Sequence, residues 1–226
     1  MAGKHFISIV IPALNEEASV GDVIAKCLHY GDEIIVMDGH SDDRTKEVAE
    51  GLGAKVITDC GKGKGAAIRE SVSHVKGDII VFIDADGSHD PADIPKLIEP
   101  IIKGEADHVS GSRLIGGSSE LHGGFDEFFR LAGSAFITAC INWRLHVRLS
   151  DSQNGFRAIK TDIIKQLDLR EDITTIEQEM IIKTIRKGFR LTEVPSHEYK
   201  RKAGSSKVVL RSVWFRYGYC LVKNLL

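Results

Sequence analysis

The stretch Asp78-Ile79-Ile80-Val81-Phe82-Ile83-Asp84-Ala85-Asp86-Gly87-Ser88-His89 decides how the rest of the chain is organised. Ile79 to Ile83 run apolar without a break, the composition of a strand buried on both faces of a sheet. The run stops at Asp84 and Asp86, and Gly87 follows. Residues two apart on a strand point the same way, so both carboxylates are expected to leave the sheet edge together. In open α/β sheets that edge, beyond the carboxyl ends of the strands, is where ligands bind. Paired hard oxygen donors beside a glycine suit Mg²⁺ or Mn²⁺, which fills its remaining positions with water and substrate phosphate. The plainer alternative is a solvated strand end turning into the helix that opens at Asp90-Pro91.

Outward from this strand the same punctuation repeats. Phe6 to Ile11 reads as a strand ended by Pro12-Ala13-Leu14-Asn15-Glu16-Glu17, and Ala18 to His29 has helical spacing through Val20, Val23, Ile24, Cys27 and Leu28. Glu33 to Asp38 is a strand, with Ser41 or Asp42 placed to cap the helix after it. Lys55 to Thr58 is another, followed by Gly61-Lys62-Gly63-Lys64-Gly65 and a helix over Ala66 to Val75. Asp93 to Lys103 is helical and Asp107 to Arg113 is a strand. Strands alternating with helices of this length predict right-handed βαβ units, hence an α/β domain with a mostly parallel central sheet. Past Arg113 the rhythm changes. Ile115 to Gly124, with four glycines, reads as a mobile loop, and Phe125 to Leu145 as a long apolar helix that carries Arg130. Asp151 to Arg157 is a polar turn entering a strand; helices follow at Thr161 to Leu167 and Ile176 to Lys187, then a strand over Arg190 to Tyr199 and a closing helix from Ser206.

With 226 residues, 42% of them hydrophobic and 27% charged, the chain can bury a substantial core as a globular protein. Cys27, Cys60, Cys140 and Cys220 are scattered with no C-x-x-C pair, which argues against a zinc site or disulfide framework and fits a reducing compartment. Lys4 and His5 lead straight into a strand with no signal-peptide pattern, and no apolar run approaches the roughly 18 residues of a spanning helix. The net charge of −2 is unevenly placed: no acid follows Glu198, whereas Lys200, Arg201, Lys202, Lys207, Arg211, Arg216 and Lys223 do. Such a tail points to an anionic partner, a phosphate or a membrane surface, or else to a solvated end. Nucleic acid is disfavoured, because the basic segment is short and the rest is acidic.

Loops after the first four strands should share one rim of the sheet. They offer Asn15 and Glu16; Asp38; Gly61 to Gly65; and Asp84 with Asp86. Glycines allow close backbone approach, and helix N-terminal amides attract phosphate. Gly63-Lys64-Gly65 is too short for a P-loop and lacks the dinucleotide G-x-G-x-x-G. Asp38 could equally cap its helix.

Pro12-Ala13-Leu14-Asn15-Glu16, Asp38-Gly39-His40-Ser41-Asp42-Asp43-Arg44-Thr45, Gly63-Lys64-Gly65, Asp84-Ala85-Asp86 and Gly111-Ser112-Arg113 fall in an order that resembles family 2 glycosyltransferases of the GT-A fold, with Asp84-Ala85-Asp86 as the DxD motif. Arg130-Leu131-Ala132-Gly133-Ser134, Asp151 to Arg157, and Arg201-Lys202-Ala203-Gly204-Ser205-Ser206-Lys207 resemble the dolichol-phosphate mannose synthase branch, which loads a hexose onto a lipid phosphate. The resemblance implies that Pro12, Ala13, Leu14, Asn15, Glu16, Asp38 and Lys64 bind the donor with Asp84, Ala85 and Asp86. It implies Asp84, Asp86 and Ser88 at Mg²⁺ or Mn²⁺, and Arg113, Arg130, Ser134, Arg201 and Lys207 around the acceptor phosphate. Asp86, Arg113 and Arg130 would be catalytic. Leu14 stands where the family often has an aromatic residue, Gly39 where it often has an aspartate, and Ser88 where glutamine is common, so base and sugar stay open between GDP-mannose and UDP-glucose.

A lipid phosphate is already an anion, so an inverting displacement needs no strong general base; the work is electrostatic. Arg130 lies one helical turn before Ser134, so both can face one phosphate; alternatively Arg130 is a surface residue paired with Asp126 or Glu127. In the closing helix Leu210, Val213, Trp214, Tyr217, Leu221 and Leu225 form one stripe with Arg216 and Lys223 opposite. That stripe suits a membrane interface, or packing on the protein's own core or on a sister chain. The expected organisation is thus a GT-A domain over 1–205 and an interfacial amphipathic helix over 206–226. It would sit peripherally at the cytosolic face of a membrane, with room for a membrane-anchoring subunit. A sugar nucleotidyltransferase would need a glycine loop where Pro12 to Glu17 has none, and a non-catalytic nucleotide-sugar-binding adaptor remains the other alternative.

Overall fold

Period-two alternation in the apolar runs sends side chains to two separate cores. Ile9 and Ile11, Ile34 and Val36, and Ile79, Val81 and Ile83 go to one face, whereas Val10, Ile35, Met37, Ile80 and Phe82 go to the other. A sheet buried on both faces must be covered on both, and helices do so. The computed structural model describes residues 5–119, 125–201 and 210–226, with side chains omitted at 125–130 and 210–214.

The elements are β1 (Ile7–Ala13), α1 (Val20–Cys27), β2 (Glu33–Asp38), α2 (Thr45–Gly51), β3 (Lys55–Thr58), α3 (Lys64–Ser71), β4 (Ile79–Phe82), α4 (Ile94–Ile102), β5 (His108–Ser112), α5 (Arg113–Gly116), α6 (Phe125–Leu145), β6 (Arg157–Lys160), α7 (Thr161–Gln166), α8 (Ile176–Arg186), β7 (Leu191–Pro195) and α9 (Leu210–Leu225). Apolar residues of α1 and α4 fill the first core; those of α3, α7 and α8 fill the second. One seven-stranded sheet has the order β3-β2-β1-β4-β6-β5-β7. Neighbours pair in parallel except β6, which runs antiparallel to both β4 and β5. The mostly parallel α/β sheet is therefore as expected, with one reversed strand inserted near its middle.

That reversal matters for the rim. The other strands present their carboxyl ends there, and β6 presents the turn that precedes it, Asp151 to Phe156. At the opposite edge the Asp107 carboxylate receives Lys160 Nζ at 2.8 Å and the Arg190 guanidinium at 2.9 Å, tying the start of β5 to β6 and β7. These cations hold its carboxyl well below the usual carboxylate range.

Several expectations are corrected. Neither Ser41 nor Asp42 caps α2; the Asp43 carboxylate accepts the Thr45 amide at 2.9 Å instead. The expected mobile loop from Ile115 starts as the turn of α5, and Ser118 and Ser119 are stitched to Glu198; residues 120–124 lie outside the described residues. β7 stops at Pro195, short of Tyr199. In α9, Leu221 and Leu225 pack with Ile141 of α6 and Ile182 of α8, so this end of the stripe takes the alternative of packing on the protein's own core. A different line of α9 is exposed, Phe215, Tyr219, Val222 and Leu226, and Phe136 and Trp143 of α6 are exposed as well.

Candidate active site

The first two rim loops are laced together. Asn15, held at φ 56°, donates its amide to Ser41 Oγ, while its side-chain oxygen accepts the Asp42 amide at 2.8 Å. Asn tolerates that left-handed conformation better than most residues, which fits its place at this turn. The Glu16 amide donates to Thr45 Oγ1 at 2.8 Å, and the Glu16 carboxylate accepts from Ser19 Oγ. Asp38 is fully buried and accepts the Ser41 amide, so its carboxylate does shape the turn. Pro12 and Ala13 end β1 beside it, and Leu14 stands exposed on the rim.

The Gly61 to Gly65 loop does not offer its helix amides to a ligand, contrary to expectation. The Gly65 and Ala66 amides at the start of α3 both donate to the Asp172 carbonyl. A Cβ on Gly65 would come within 2.5 Å of the Glu171 carbonyl, so only glycine permits this approach. What the loop contributes to the rim is the Lys64 side chain. Its ammonium lies 2.6 Å from Asp84 and 2.8 Å from Glu177 of α8. Lys64 remains protonated because the two carboxylates outweigh its burial.

β4 ends at Phe82, so Asp84, Ala85 and Asp86 belong to a turn and the same-side rule for strands does not bind them. The two carboxylates take different cations. Asp84 holds Lys64; Asp86, nearly buried, accepts the Ser88 amide at 2.9 Å and faces Arg201 at 3.2 Å. The segment after β7 lies directly over this turn, since the Tyr199 amide donates to the Ser88 carbonyl at 2.7 Å. His89 stacks on Phe156 within electrostatic reach of Asp84, Asp86, Glu198 and Arg113. Its burial pushes its pKa down, so it is neutral, and its Nδ1 is buried without a hydrogen-bond partner.

Arg113 leaves the end of β5 into a carboxylate clamp. Its Nε and Nη2 donate to Asp151 at 2.6 and 3.0 Å and its Nη1 to Glu198 at 3.2 Å. Those carboxylates raise its pKa further. Arg157, at the start of β6, is fully buried, with Nη1 donating to the Glu177 carbonyl and Nη2 to that of Asn154. The structure thus gathers Asp38, Lys64, Asp84, Asp86, Ser88, Arg113 and Arg201 on one rim. Ser134 is half-buried on α6; Arg130 is on the same helix, where only backbone is described, and Lys207 falls outside the described residues.

Glu177 and Glu198 were not foreseen from the sequence, though each completes an ion pair at the rim. The mixed run Thr175 to Ile182 gave no sign of this, and only its packing, buried residue after residue, turns Glu177 into a partner for the rim. Among the described residues no three His, Cys, Asp or Glu side chains converge as a cation cage. One hard Asp86 oxygen with the unpartnered His89 Nδ1 nearby does fit a divalent ion that draws the rest of its shell from diphosphate and water. Asp84, by contrast, is committed to Lys64.

Gly155 sits against the cluster of Lys64, Asp84 and Glu177. An alanine Cβ there would come within 2.8 Å of Lys64 Nζ and 2.9 Å of Asp84 Oδ2. The obstructing atoms are side-chain tips, so Gly155→Ala should fold normally while pushing Lys64 off Asp84. Activity of this site should fall at least tenfold in a variant that still folds; wild-type activity in that variant would contradict the pairing's importance.

The sequence profile described as Glycosyl transferase family 2 matches residues 8–168. The chain belongs to glycosyl transferase family 2. Among curated relatives, "Glycosyltransferase AglJ" of Haloferax volcanii is 31% identical over 204 residues, covering 88% of this chain and 65% of that protein, so this chain spans just under two thirds of it. "Dolichyl-phosphate hexose transferase" of the same organism is 28% identical over 205 residues, covering 89% and 86%. Among solved structures, glucosyl-3-phosphoglycerate synthase from Mycobacterium tuberculosis, in complex with Mn²⁺, UDP and phosphoglyceric acid, superposes with a TM-score of 0.77 at 24% identity over 98% of this chain and 78% of that one. That likeness shows the GT-A fold of this family 2 chain. Glu177, Glu198 and Arg201 all lie beyond the matched residues.

Proposed function

We propose that this family 2 glycosyltransferase moves a hexose from a nucleoside-diphosphate sugar onto a polyprenyl or dolichyl phosphate, with inversion. The observation that carries the reading is the meeting of Asp86 and Arg201 on one rim: an acid suited to a metal–diphosphate beside a cation suited to a phosphate acceptor. The name of the Haloferax hexose transferase supports the acceptor class. Pro12, Leu14, Glu16 and Asp38 line the nucleotide side, and Lys64 braces Asp84 beneath the diphosphate. Asp86, with Ser88 and His89 beside it, holds Mg²⁺ or Mn²⁺; when bound, that ion stabilises negative charge on the departing diphosphate. Arg201, with Arg113 and Ser134, would serve the acceptor phosphate, and the family resemblance adds Arg130 and Lys207 to that set. An acceptor phosphate oxygen forms the new bond to the anomeric carbon as the bond to the diphosphate breaks, and the electron pair leaves with the nucleoside diphosphate. Already ionised, the phosphate gives up no proton, so the reaction calls for no dedicated base.

GDP-mannose is the first donor expected and UDP-glucose the second, the latter because Gly61 to Gly65 and Asp151 to Gln153 also resemble dolichol-phosphate glucose synthases. The test is a panel of nucleotide sugars with farnesyl phosphate and Mn²⁺. Mannosyl or glucosyl lipid phosphate is the expected product; a folded sample inert with every donor would refute the assignment.

A membrane-lying orientation belongs to the same reading. None of the described helices is long and apolar enough to cross a membrane. Phe215, Tyr219, Val222 and Leu226 on α9, with Phe136 and Trp143 on α6, instead leave apolar lines in the open, flanked by the exposed Arg144, Arg148, Arg216 and Lys223. Helices of this kind lie in the interface with cations at headgroup level. At about 2 kcal/mol for each buried aromatic side chain, replacing Phe215 and Trp143 together by serine should lower vesicle partitioning at least a hundredfold. Flotation with acidic phospholipid vesicles reads this directly, and unchanged partitioning would place the contact elsewhere. In this reading α9 serves as an interfacial helix, with Leu221 and Leu225 on its inner side packed against α6 and α8.

A further inference from the structure

We infer that Arg201 occupies Oδ2 of Asp86 while the donor is absent, so that metal–donor binding competes with this ion pair and releases the arginine to the acceptor. The inference rests on the function proposed above and concerns the regulation of that site.

Asp86 has two carboxylate oxygens, and both are in use. Oδ1 accepts the Ser88 amide, a local bond within the turn, and Oδ2 faces the Arg201 guanidinium at 3.2 Å. The first bond is part of the fold. The second comes from a chain segment outside the turn and is the one that can be exchanged. One oxygen cannot be given fully to a guanidinium and to a divalent cation together, since both cations would be crowded within a few ångströms in a site whose acid side chain is 6% exposed.

The other acid of the turn, Asp84, holds Lys64, which the buried Glu177 also binds. Arg201 is a third exposed and lies just past the anchored stretch of its segment. That stretch is held by the Tyr199 amide on the Ser88 carbonyl, by the paired Glu198 and His89 backbones, and by the Glu198 carboxylate on Arg113 and Ser118. The backbone up to Tyr199 can therefore stay in place while the Arg201 side chain turns from acid to phosphate.

Two consequences follow by linkage. Arg201 opposes metal binding to the empty protein, and metal–diphosphate binding favours the acceptor, because reciprocal coupling is a thermodynamic necessity. Mn²⁺ affinity, read from free Mn²⁺ by electron paramagnetic resonance, should rise roughly tenfold in Arg201→Gln, within the usual range for coupled sites, and by less in Arg201→Lys. Lys200→Gln removes a neighbouring positive charge that is not paired with Asp86 and should leave Mn²⁺ affinity as in wild type. Farnesyl phosphate, followed by calorimetry, should bind wild type more tightly once Mn²⁺ with GDP or UDP is present, and this gain should vanish in Arg201→Gln.

Equal effects of Arg201→Gln and Lys200→Gln would overturn the inference, because they would reflect general charge alone. So would an unchanged Mn²⁺ affinity in Arg201→Gln when wild type binds Mn²⁺ with nucleoside diphosphate. Failure of wild type and both Arg201 variants to bind Mn²⁺ with either nucleotide would instead overturn the metal-dependent transferase reading, and the inference with it. Circular dichroism melting of each variant confirms that the comparison is between folded proteins.

Discussion

Asp86→Asn should reduce the transfer rate by about a thousandfold while leaving the protein folded. The amide is isosteric, and its remaining oxygen can still accept the Ser88 amide, so the turn after β4 keeps its shape. What is lost is the charge that faces Arg201 and, in the proposed reaction, the metal on the leaving diphosphate. Removing one group that stabilises transition-state charge typically costs 10²–10³ in rate, and a metal ligand belongs at the upper end of that range. The stability cost is small: an ion pair whose arginine is a third exposed is worth at most about 1 kcal/mol, or a few degrees in melting temperature for a chain of this size. The measurements are single-turnover transfer to farnesyl phosphate and a melting curve. A variant with near-wild-type rate would remove Asp86 from the chemistry; one that fails to fold would show that the turn depends on the full charge.

The second large effect is on stability. Arg157→Met should lower the melting temperature by about 10 °C, although methionine fits the volume and the strand. Arg157 is fully buried at the head of β6, donates to the carbonyls of Glu177 and Asn154, and lies within electrostatic reach of Glu177, Asp151 and Asp84. Removing one member of a buried charge cluster leaves its partners uncompensated and costs about 3–5 kcal/mol, and each kcal/mol moves the midpoint by roughly 2–4 °C at this length. Glu177 would then have Lys64 as its remaining cation, so the Lys64–Asp84 contact should loosen and transfer should drop in the fraction that stays folded. A melting temperature within 2 °C of wild type would mean that the cluster tolerates the loss by taking up protons.

Much of this was readable from residue order. The continuous apolar strands with helices between them dictate a sheet covered on both faces, and Ile79 to Phe82 does lie at its centre. The side-chain alternation of β6, however, says nothing about strand direction, so its reversal, which brings Asp151 to Phe156 to the rim, was not legible. The partnership of acids was hidden for a related reason. Asp84 and Asp86 looked like a pair because they are neighbours in sequence, but the partners that separate them, Lys64 with Glu177 and Arg201, come from three distant segments. In α9 the helical period was sound, yet the helix carries apolar residues on two lines. Only packing against Ile141 and Ile182 decides that Leu221 and Leu225 turn inward while Phe215 and Tyr219 are left in the open.

The reversed strand also bears on how the chain emerges from a ribosome. β1 to β4 can assemble as soon as they are made, since β3, β2, β1 and β4 are consecutive in the sheet. β5 cannot join them, because its partners are β6 and β7, and Arg157, the first residue of β6, follows Ser112 by 45 positions. The free side of β4 waits for β6, whose first residue follows Phe82 by 75 positions, so at translation rates of about 5–20 residues per second Ile79 to Phe82 goes unpaired for roughly 4 to 15 seconds. An apolar edge open for that long invites pairing with another nascent chain. Slowing synthesis between codons 113 and 156 should therefore increase aggregation of newly made protein, whereas slowing it after codon 160 should not.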